Sequence, residues 1–94
     1  MTVYVDEAMI PYRGMRMNHL IADTHEELIA MVRKIGVQEK WIQYPGTPKE
    51  HFDIAASKRE LAIKHGAVPI TPLQLGELLM ERNRQASMAN EVAQ

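Results

Sequence analysis

The hydrophobic positions along the chain form short β-prone runs that alternate with runs of helical spacing. Residues 2–6 and 17–22 are rich in aliphatic and β-branched side chains, so each run predicts a strand. Between them, residues 7–16 predict a loop, because Pro11 and Gly14 interrupt regular structure. The following run predicts a helix whose apolar face is formed by Leu28, Met31, Val32 and Ile35.

The two ends of this first helix carry strong local signals. Thr24 is followed three residues later by Glu27, which is the capping-box pattern of a helix start. Gly36 is the expected stop, because glycine readily adopts the left-handed conformation that ends a helix. These signals agree on a helix between residues 24 and 36.

A third strand and a second helix are predicted next. Residues 41–44 are aromatic and β-branched, and the strand they predict ends at the Pro- and Gly-rich loop 45–48. Ser57 and Glu60 form a second capping box, which places the start of a helix at Ser57. Asp53 is an alternative N-cap one turn earlier.

The remaining elements are a short strand and a third helix. Gly66 ends the second helix, and residues 67–70 predict a strand in which Pro69 favours a sheet edge. Thr71 and Gln74 then form a third capping box.

The element order is therefore β-β-α-β-α-β-α. It predicts an α/β (or α+β) fold with a small mixed sheet of about four short strands and three helices. Residues 1–86 form one domain, and residues 87–94, which show no clear pattern, are expected to fray.

Composition narrows the environment and the partners. The net charge of −1 argues against general binding of duplex nucleic acid, and the absence of cysteine excludes disulfides and thiolate zinc sites. No signal peptide begins the chain, and no apolar run approaches the roughly 20 residues of a membrane span. We therefore expect a cytoplasmic, soluble protein. A homodimer is plausible, because a short chain buries a small share of its surface.

A string of short motifs resembles a small bacterial and phage family, catalogued as domain of unknown function 4031. The resemblance covers roughly residues 2 to 70 and implies a single-domain, often phage-associated protein, without implying any activity. The motifs are Val3-Tyr4-Val5-Asp6, His19-Leu20-Ile21-Ala22-Asp23-Thr24, Glu26-Glu27-Leu28, Ile35-Gly36-Val37, Trp41-Ile42-Gln43, His51-Phe52-Asp53, Ser57-Lys58-Arg59 and Gly66-Ala67.

The stretch from His51 to Glu60 concentrates the most potential chemistry. Lys58 and Arg59 would lie in the first turn of a helix, where their charges oppose the positive end of the helix dipole. A bound anion would remove this conflict, and Ser57 would add a hydroxyl group. The leading hypothesis is therefore a non-catalytic or weakly catalytic domain that binds a phosphorylated small ligand, most readily a nucleotide.

Other parts of the chain would complete this ligand site. His19 and His51 would orient the phosphate, and a basic loop with Arg13 and Arg16 would close over it. The predicted ligand-binding residues are His19, His51, Asp53, Ser57, Lys58, Arg59, Arg13, Arg16 and Trp41. Trp41 would contact a base, and Tyr44 is the alternative residue for this contact.

Two alternatives stay open. A metal-dependent phosphoesterase or nuclease would use His19, Asp23, His51 and Asp53 as ligands. Their spacing matches no diagnostic metal motif, so the sequence assigns no metal ligands and no cofactor. The other alternative is a protein-interaction module that inhibits a host factor through an adaptable surface of methionines: Met9, Met15, Met17, Met31, Met80 and Met88.

Overall fold

Five strands in one mixed sheet and three helices make up the protein in a computed structural model, which describes the backbone of residues 1–93 and the side chains of residues 1–88. The α/β class is thereby confirmed. The strands are β1 (Val3–Val5), β2 (Ile10–Tyr12), β3 (Met15–Ala22), β4 (Phe52–Ala55) and β5 (Val68–Pro69), and the helices are α1 (His25–Ile35), α2 (Ala56–Lys64) and α3 (Pro72–Ala93).

The long strand β3 organises the sheet. It pairs antiparallel with β1, β2 and β4, while β1 also pairs in parallel with β5. The order β2-β3-β1-β5 leaves β5 at an edge, as Pro69 predicted.

A β-hairpin replaces the loop predicted for residues 7–16. β2 and β3 are joined at Arg13 and Gly14, whose φ angles of 48° and 78° are both positive, as tight two-residue hairpin turns require. Arginine rarely adopts this conformation, so the turn carried no strong sequence signal. This hairpin supplies the fifth strand of the sheet.

The two faces of the sheet are built differently. Phe52 and Ile54 of β4 are fully buried, and with Leu20 of β3 they belong to the hydrophobic core that α1 and α2 cover. We call this side the core face. The alternate positions His19 and Asp53 point to the opposite side, which we call the histidine face.

α3 covers part of the histidine face. Leu75 is buried, and it lines a cavity of about 160 Å³ together with Ile21 and His19. The Arg82 guanidinium donates a hydrogen bond to the carbonyl of Ala22 at the end of β3.

The N-caps predicted for α1 and α3 form, and at α3 the capping box is complete. The backbone N–H of Glu27 donates to Thr24 Oγ1 at 3.2 Å, and Gly36 ends α1 with a φ of 77°. At α3, the backbone N–H of Gln74 donates to Thr71 Oγ1 at 3.1 Å.

The predicted start of α2 is wrong. The helix begins at Ala56, and its N-cap Ala55 makes no capping hydrogen bond through its side chain. Neither Ser57 nor Asp53 acts as a cap, because β4 runs directly into the helix and Asp53 pairs with His19 inside the sheet.

The strand predicted at residues 41–44 is also wrong. A short 3₁₀ helix occupies Glu39–Trp41, held by a hydrogen bond from the Trp41 N–H to the Gln38 carbonyl. Gln43 alone pairs with the sheet region, exchanging two backbone hydrogen bonds with His51 at 2.9 and 3.1 Å. Backbone hydrogen bonds between residues three apart in the sequence therefore outweigh the β propensity of this aromatic segment.

The C-terminal helix α3 continues through Ala93, and Gln94 lies outside the described residues. The fraying of residues 87–94 stays a prediction. Within residues 1–93, no helix combines the length and the apolar character needed to cross a membrane.

Candidate metal centre

Three polar side chains converge on the histidine face. The β3–β4 register places His19 directly opposite Asp53, so both side chains point to the same side of the sheet. The bridge between Gln43 and His51 brings the second histidine beside them. One potential ligand atom from each of His19, His51 and Asp53 lies within 4.8 Å of the others.

These separations suit a single metal ion. Asp53 Oδ1 lies 3.4 Å from His51 Nε2 and 3.9 Å from His19 Nε2. Zinc binds imidazole nitrogen and carboxylate oxygen at about 2.0–2.2 Å, so two such ligands lie at most about 4.4 Å apart. A small closing movement would bring all three atoms onto one ion.

A buried carboxylate holds His19 in place. Asp6 is fully buried and accepts a hydrogen bond from His19 Nδ1 at 2.7 Å and another from the His19 backbone N–H at 2.8 Å. Burial alone would raise the pKa of Asp6, but these bonds and one from the backbone of Ala8 outweigh it, so the pKa lies below its ordinary value.

The same contact changes the acidity of His19. The hydrogen bond to Asp6 raises the pKa of His19 above its ordinary value, against the opposing effect of burial. The negative charges of Asp6 and Asp53 add to this increase. The site therefore favours positive charge on or next to this imidazole.

His51 and Asp53 also have partners that fix their orientation. His51 Nδ1 donates to the backbone carbonyl of Lys49 at 2.7 Å, and the Tyr44 ring stacks on the imidazole with 6.0 Å between centroids. Gln43 Nε2 donates to Asp53 Oδ2 at 2.5 Å, which leaves Oδ1 facing the histidines. Metal-binding side chains are commonly oriented by outer hydrogen bonds of this kind.

The hydrogen bonds leave three lone pairs facing one point. Both histidines use Nδ1–H as a donor, so in their neutral forms the lone pair is on Nε2. These two nitrogens meet Asp53 Oδ1, which is also an acceptor. Three acceptors repel one another unless a proton or a metal cation lies between them.

The fourth residue of the metal hypothesis does not join this cluster. Asp23 follows the end of β3, four residues from His19, and its side chain accepts a hydrogen bond from the backbone of Thr2 at 2.8 Å. Only the three ligands His19, His51 and Asp53 of the predicted four are therefore brought together.

None of the three residues Ser57, Lys58 and Arg59 lines the cavities that contain the two histidines. Arg59 Nε donates to the backbone carbonyl of Asp6 at 2.8 Å. The Lys58 ammonium lies against Gly36, at the C-terminal end of α1, where a positive charge is favourable. Ser57 is exposed. Contacts inside the protein thus account for the two cations that suggested an anion at this helix start.

The two arginines that were predicted to close over the ligand lie in different surroundings. Arg13 lines a cleft of about 630 Å³ that extends to His19 and Asp53, and Trp41 lines the same cleft. We call it the hairpin cleft, because residues of the β2–β3 hairpin form one of its walls. Arg16 instead donates to the backbone carbonyl of Met9 at 3.4 Å.

The methionines do not form one surface. Met31 is buried in the core under α1, and Met15 and Met17 line the hairpin cleft. Met80 and Met88 are exposed on α3, far along the chain from the hairpin.

Sequence reasoning missed the supporting residues Asp6 and Gln43. Asp6 directly follows the three-residue strand β1, and its sequence context indicated only the end of that strand. Gln43 was hidden by the wrong strand prediction. Both become visible only once the pairing of β1, β3 and β4 is known, because their partners are 13 and 10 residues away in the sequence.

The fold and this cluster define a small α/β protein with a histidine–carboxylate centre on one face of its sheet. The family comparison agrees with the resemblance seen in the sequence. A family model described as "Protein of unknown function (DUF4031)" matches residues 3–83, and the chain belongs to that family. No curated protein and no solved structure matches the chain significantly.

Proposed function

We propose that this protein binds one divalent transition-metal ion through His19, His51 and Asp53 and uses it to hydrolyse a phosphate ester. The observation that carries the proposal is the convergence of three acceptor atoms within 4.8 Å, each on a side chain held by its own outer hydrogen bond. A structural cluster would need a donor among the three groups, whereas a metal ion satisfies all of them at once.

The donor set favours a particular group of metals. Two imidazoles and one carboxylate suit Zn²⁺ and neighbouring ions such as Co²⁺ and Fe²⁺ better than Mg²⁺ or Ca²⁺, which prefer oxygen ligands. Three protein ligands leave at least one coordination position for water or substrate, which is the arrangement of catalytic rather than structural zinc sites.

Hydrolysis would follow from this open position. A divalent metal held by His19, His51 and Asp53 would lower the pKa of a coordinated water to about 7 and would thereby supply a hydroxide nucleophile near neutral pH. The bond from this oxygen to phosphorus would form as the bond to the alcohol breaks, and the departing alcohol oxygen would take up a proton from solvent. Gln43 would keep Asp53 Oδ1 directed at the metal, and Asp6 would hold the proton of neutral His19 on Nδ1, so that the Nε2 lone pair faces the metal.

The choice of a phosphate ester rests on the hairpin cleft. Arg13 lines the cleft that reaches two of the ligands, His19 and Asp53, and a guanidinium matches phosphate oxygens in charge and geometry. The proposal therefore keeps the phosphorylated ligand expected from the sequence. It assigns the anion to the metal and Arg13 instead of Ser57, Lys58 and Arg59.

Metal binding is the first test, and the histidines provide matched controls. The chain has four histidines, of which His25 and His65 are exposed and lie outside the cluster. Titration of purified protein with Co²⁺, followed by visible absorption, should give one site with a spectrum typical of nitrogen and oxygen ligands. His19→Ala or His51→Ala should weaken binding by about 100-fold or more, whereas His65→Ala should leave it unchanged.

Turnover is the second test. Zn²⁺-, Mn²⁺- and Co²⁺-loaded protein should hydrolyse a chromogenic phosphomonoester or phosphodiester, and chelation should abolish the reaction. Metal binding without turnover of any phosphate ester would reduce the function to metal-dependent ligand binding. An equal affinity for Co²⁺ in wild type and His51→Ala would contradict the proposal as a whole.

A further inference from the structure

The hairpin cleft combines features that a metal site alone does not require. Its volume of about 630 Å³ lies within the range of small-molecule sites, and one end of it contains the metal ligands His19 and Asp53. A water molecule and a bare phosphate would fill only a small part of this space. The rest of the cleft therefore has room for another part of a ligand.

Large apolar side chains line the rest of the cleft while remaining open to solvent. Trp41 is 62% exposed, and Tyr12 and Met15 on the hairpin are 52% and 44% exposed. Side chains of this size are usually buried, and their concentration at one cleft indicates a surface that a ligand covers. The aromatic rings favour a flat partner, because stacking on a ring face is their characteristic interaction with nucleobases.

A positive charge accompanies each of these two aromatic rings. The Arg13 guanidinium lies 5.4 Å from the centre of the Tyr12 ring, and the Lys40 ammonium lies 5.2 Å from the centre of the Trp41 ring. Of these two cations, Arg13 lines the cleft, which thus offers aromatic surface and a guanidinium beside a site for a metal ion. A ligand that joins a flat aromatic group to a phosphate matches all three.

We infer that the substrate is a nucleoside phosphate, with its base against Trp41 and Tyr12 and its phosphate at the metal ligands. This inference rests on the proposed function for the position of the phosphate. A single nucleotide fits the size of the cleft, and the net charge of −1 disfavours a long polyanion.

Trp41 makes the inference directly measurable, because it is the only tryptophan of the chain. Its fluorescence is followed while Co²⁺-loaded protein is titrated with adenosine monophosphate, ribose phosphate or a short single-stranded oligonucleotide. We expect adenosine monophosphate to quench the fluorescence saturably. Ribose phosphate should bind at least about 10-fold more weakly, and the oligonucleotide should bind no more tightly per nucleotide than adenosine monophosphate does.

Variants of Tyr12 separate stacking from folding. Tyr12→Ala should weaken binding of adenosine monophosphate by about 10-fold, and Tyr12→Phe, which keeps the ring, should restore it. Both variants should keep the Co²⁺ spectrum of the wild type, because Tyr12 is not one of the three ligands.

The outcomes distinguish this inference from the proposed function. A normal Co²⁺ spectrum with equal binding of adenosine monophosphate and ribose phosphate would overturn the nucleotide inference alone. Tighter binding per nucleotide of the oligonucleotide would also overturn it, in favour of a nucleic-acid strand. Absence of a Co²⁺ site would overturn the proposed function, and the titration of metal-free protein would then decide whether the cleft binds a base.

Discussion

The core face and the histidine face of the same sheet follow different rules. On the core face, alternate residues such as Leu20, Phe52 and Ile54 are buried beneath α1 and α2. On the histidine face, the neighbouring positions His19 and Asp53 remain partly exposed and make directional hydrogen bonds. One strand thus contributes to both, since successive side chains point to opposite sides.

Residues that stabilise the fold and residues that could bind a metal therefore alternate along the same strands. The core face gains free energy from removal of apolar surface from water, which is insensitive to the orientation of individual groups. The histidine face instead holds polar atoms at fixed distances and leaves three acceptors together. Substitutions on the core face should therefore mainly lower stability, whereas substitutions on the histidine face should mainly weaken metal binding.

The largest effect on folding is expected at Phe52. Phe52→Ala should lower the free energy of unfolding by about 3–5 kcal/mol, because it leaves a cavity in the core. Asp53→Ala, one residue further along β4, should change stability by less than half of this while removing metal binding. Urea unfolding and Co²⁺ titration measure both quantities, with Phe52→Leu as a variant that preserves folding. Similar losses of stability for both substitutions would break the comparison.

A smaller effect is expected when the support of a ligand is altered. Asp6→Asn should weaken metal binding by about 10–100-fold. The amide can place an N–H where Asp6 now accepts from His19 Nδ1, which favours the tautomer with the proton on Nε2, where the metal should bind.

The matched control for Asp6 is Asp23→Asn, which changes an exposed carboxylate outside the cluster. It should leave Co²⁺ affinity unchanged. If Asp6→Asn bound Co²⁺ as tightly as the wild type did, the hydrogen bond to His19 would have only a structural role.

The acidity of His19 predicts a modest pH dependence of the metal-free protein. Its pKa is raised in the folded state through Asp6 and Asp53. The titratable side chains of His51, Tyr44 and Lys49 line a cavity together with His19. The resulting stabilisation is complete below the unfolded pKa of about 6.5 and is lost as the pH rises through the higher folded pKa. The lowered pKa of Asp6 has the opposite sign: its contribution is lost as the pH falls through the folded value.

Urea unfolding in the presence of a chelator, from about pH 5 to about pH 9, would measure this loss. His19→Gln should reduce the change in the free energy of unfolding with pH in the neutral-to-basic range, whereas His65→Gln should leave this change as in the wild type. A wild-type slope in His19→Gln would show that the interaction with Asp6 adds no pH-dependent stability.

The sequence predicted what depends on local pattern and missed what depends on pairing. The caps at Thr24 and Thr71 and the edge position of Pro69 were all predictable, because each follows from neighbouring residues. The convergence of His19 with Asp53 and His51 could be raised only as a hypothesis, because it depends on the register of β3 with β4 and on the bridge between Gln43 and His51.

Two specific errors have the same origin. Ser57 has the sequence of a capping residue, but the direct passage from β4 into α2 leaves it inside the helix. Trp41 has strong β propensity, but it ends a 3₁₀ helix beside the cleft. In both cases the surrounding backbone structure overrides the preference of a single residue.

The smallest expected effect concerns Lys58, and it tests whether an anion site exists on α2. Lys58→Met keeps much of the side-chain length but removes the charge near Gly36 at the end of α1. The loss should be limited to about 0.3–1 kcal/mol of stability, the usual value of a charge at a helix terminus. Binding of Co²⁺ and of adenosine monophosphate should stay at wild-type levels, because Lys58 contacts α1 and lies outside the metal cluster and the hairpin cleft. A 10-fold or greater loss of nucleotide binding, about 1.4 kcal/mol, would instead return the phosphate to α2 and leave the histidine face without its proposed role.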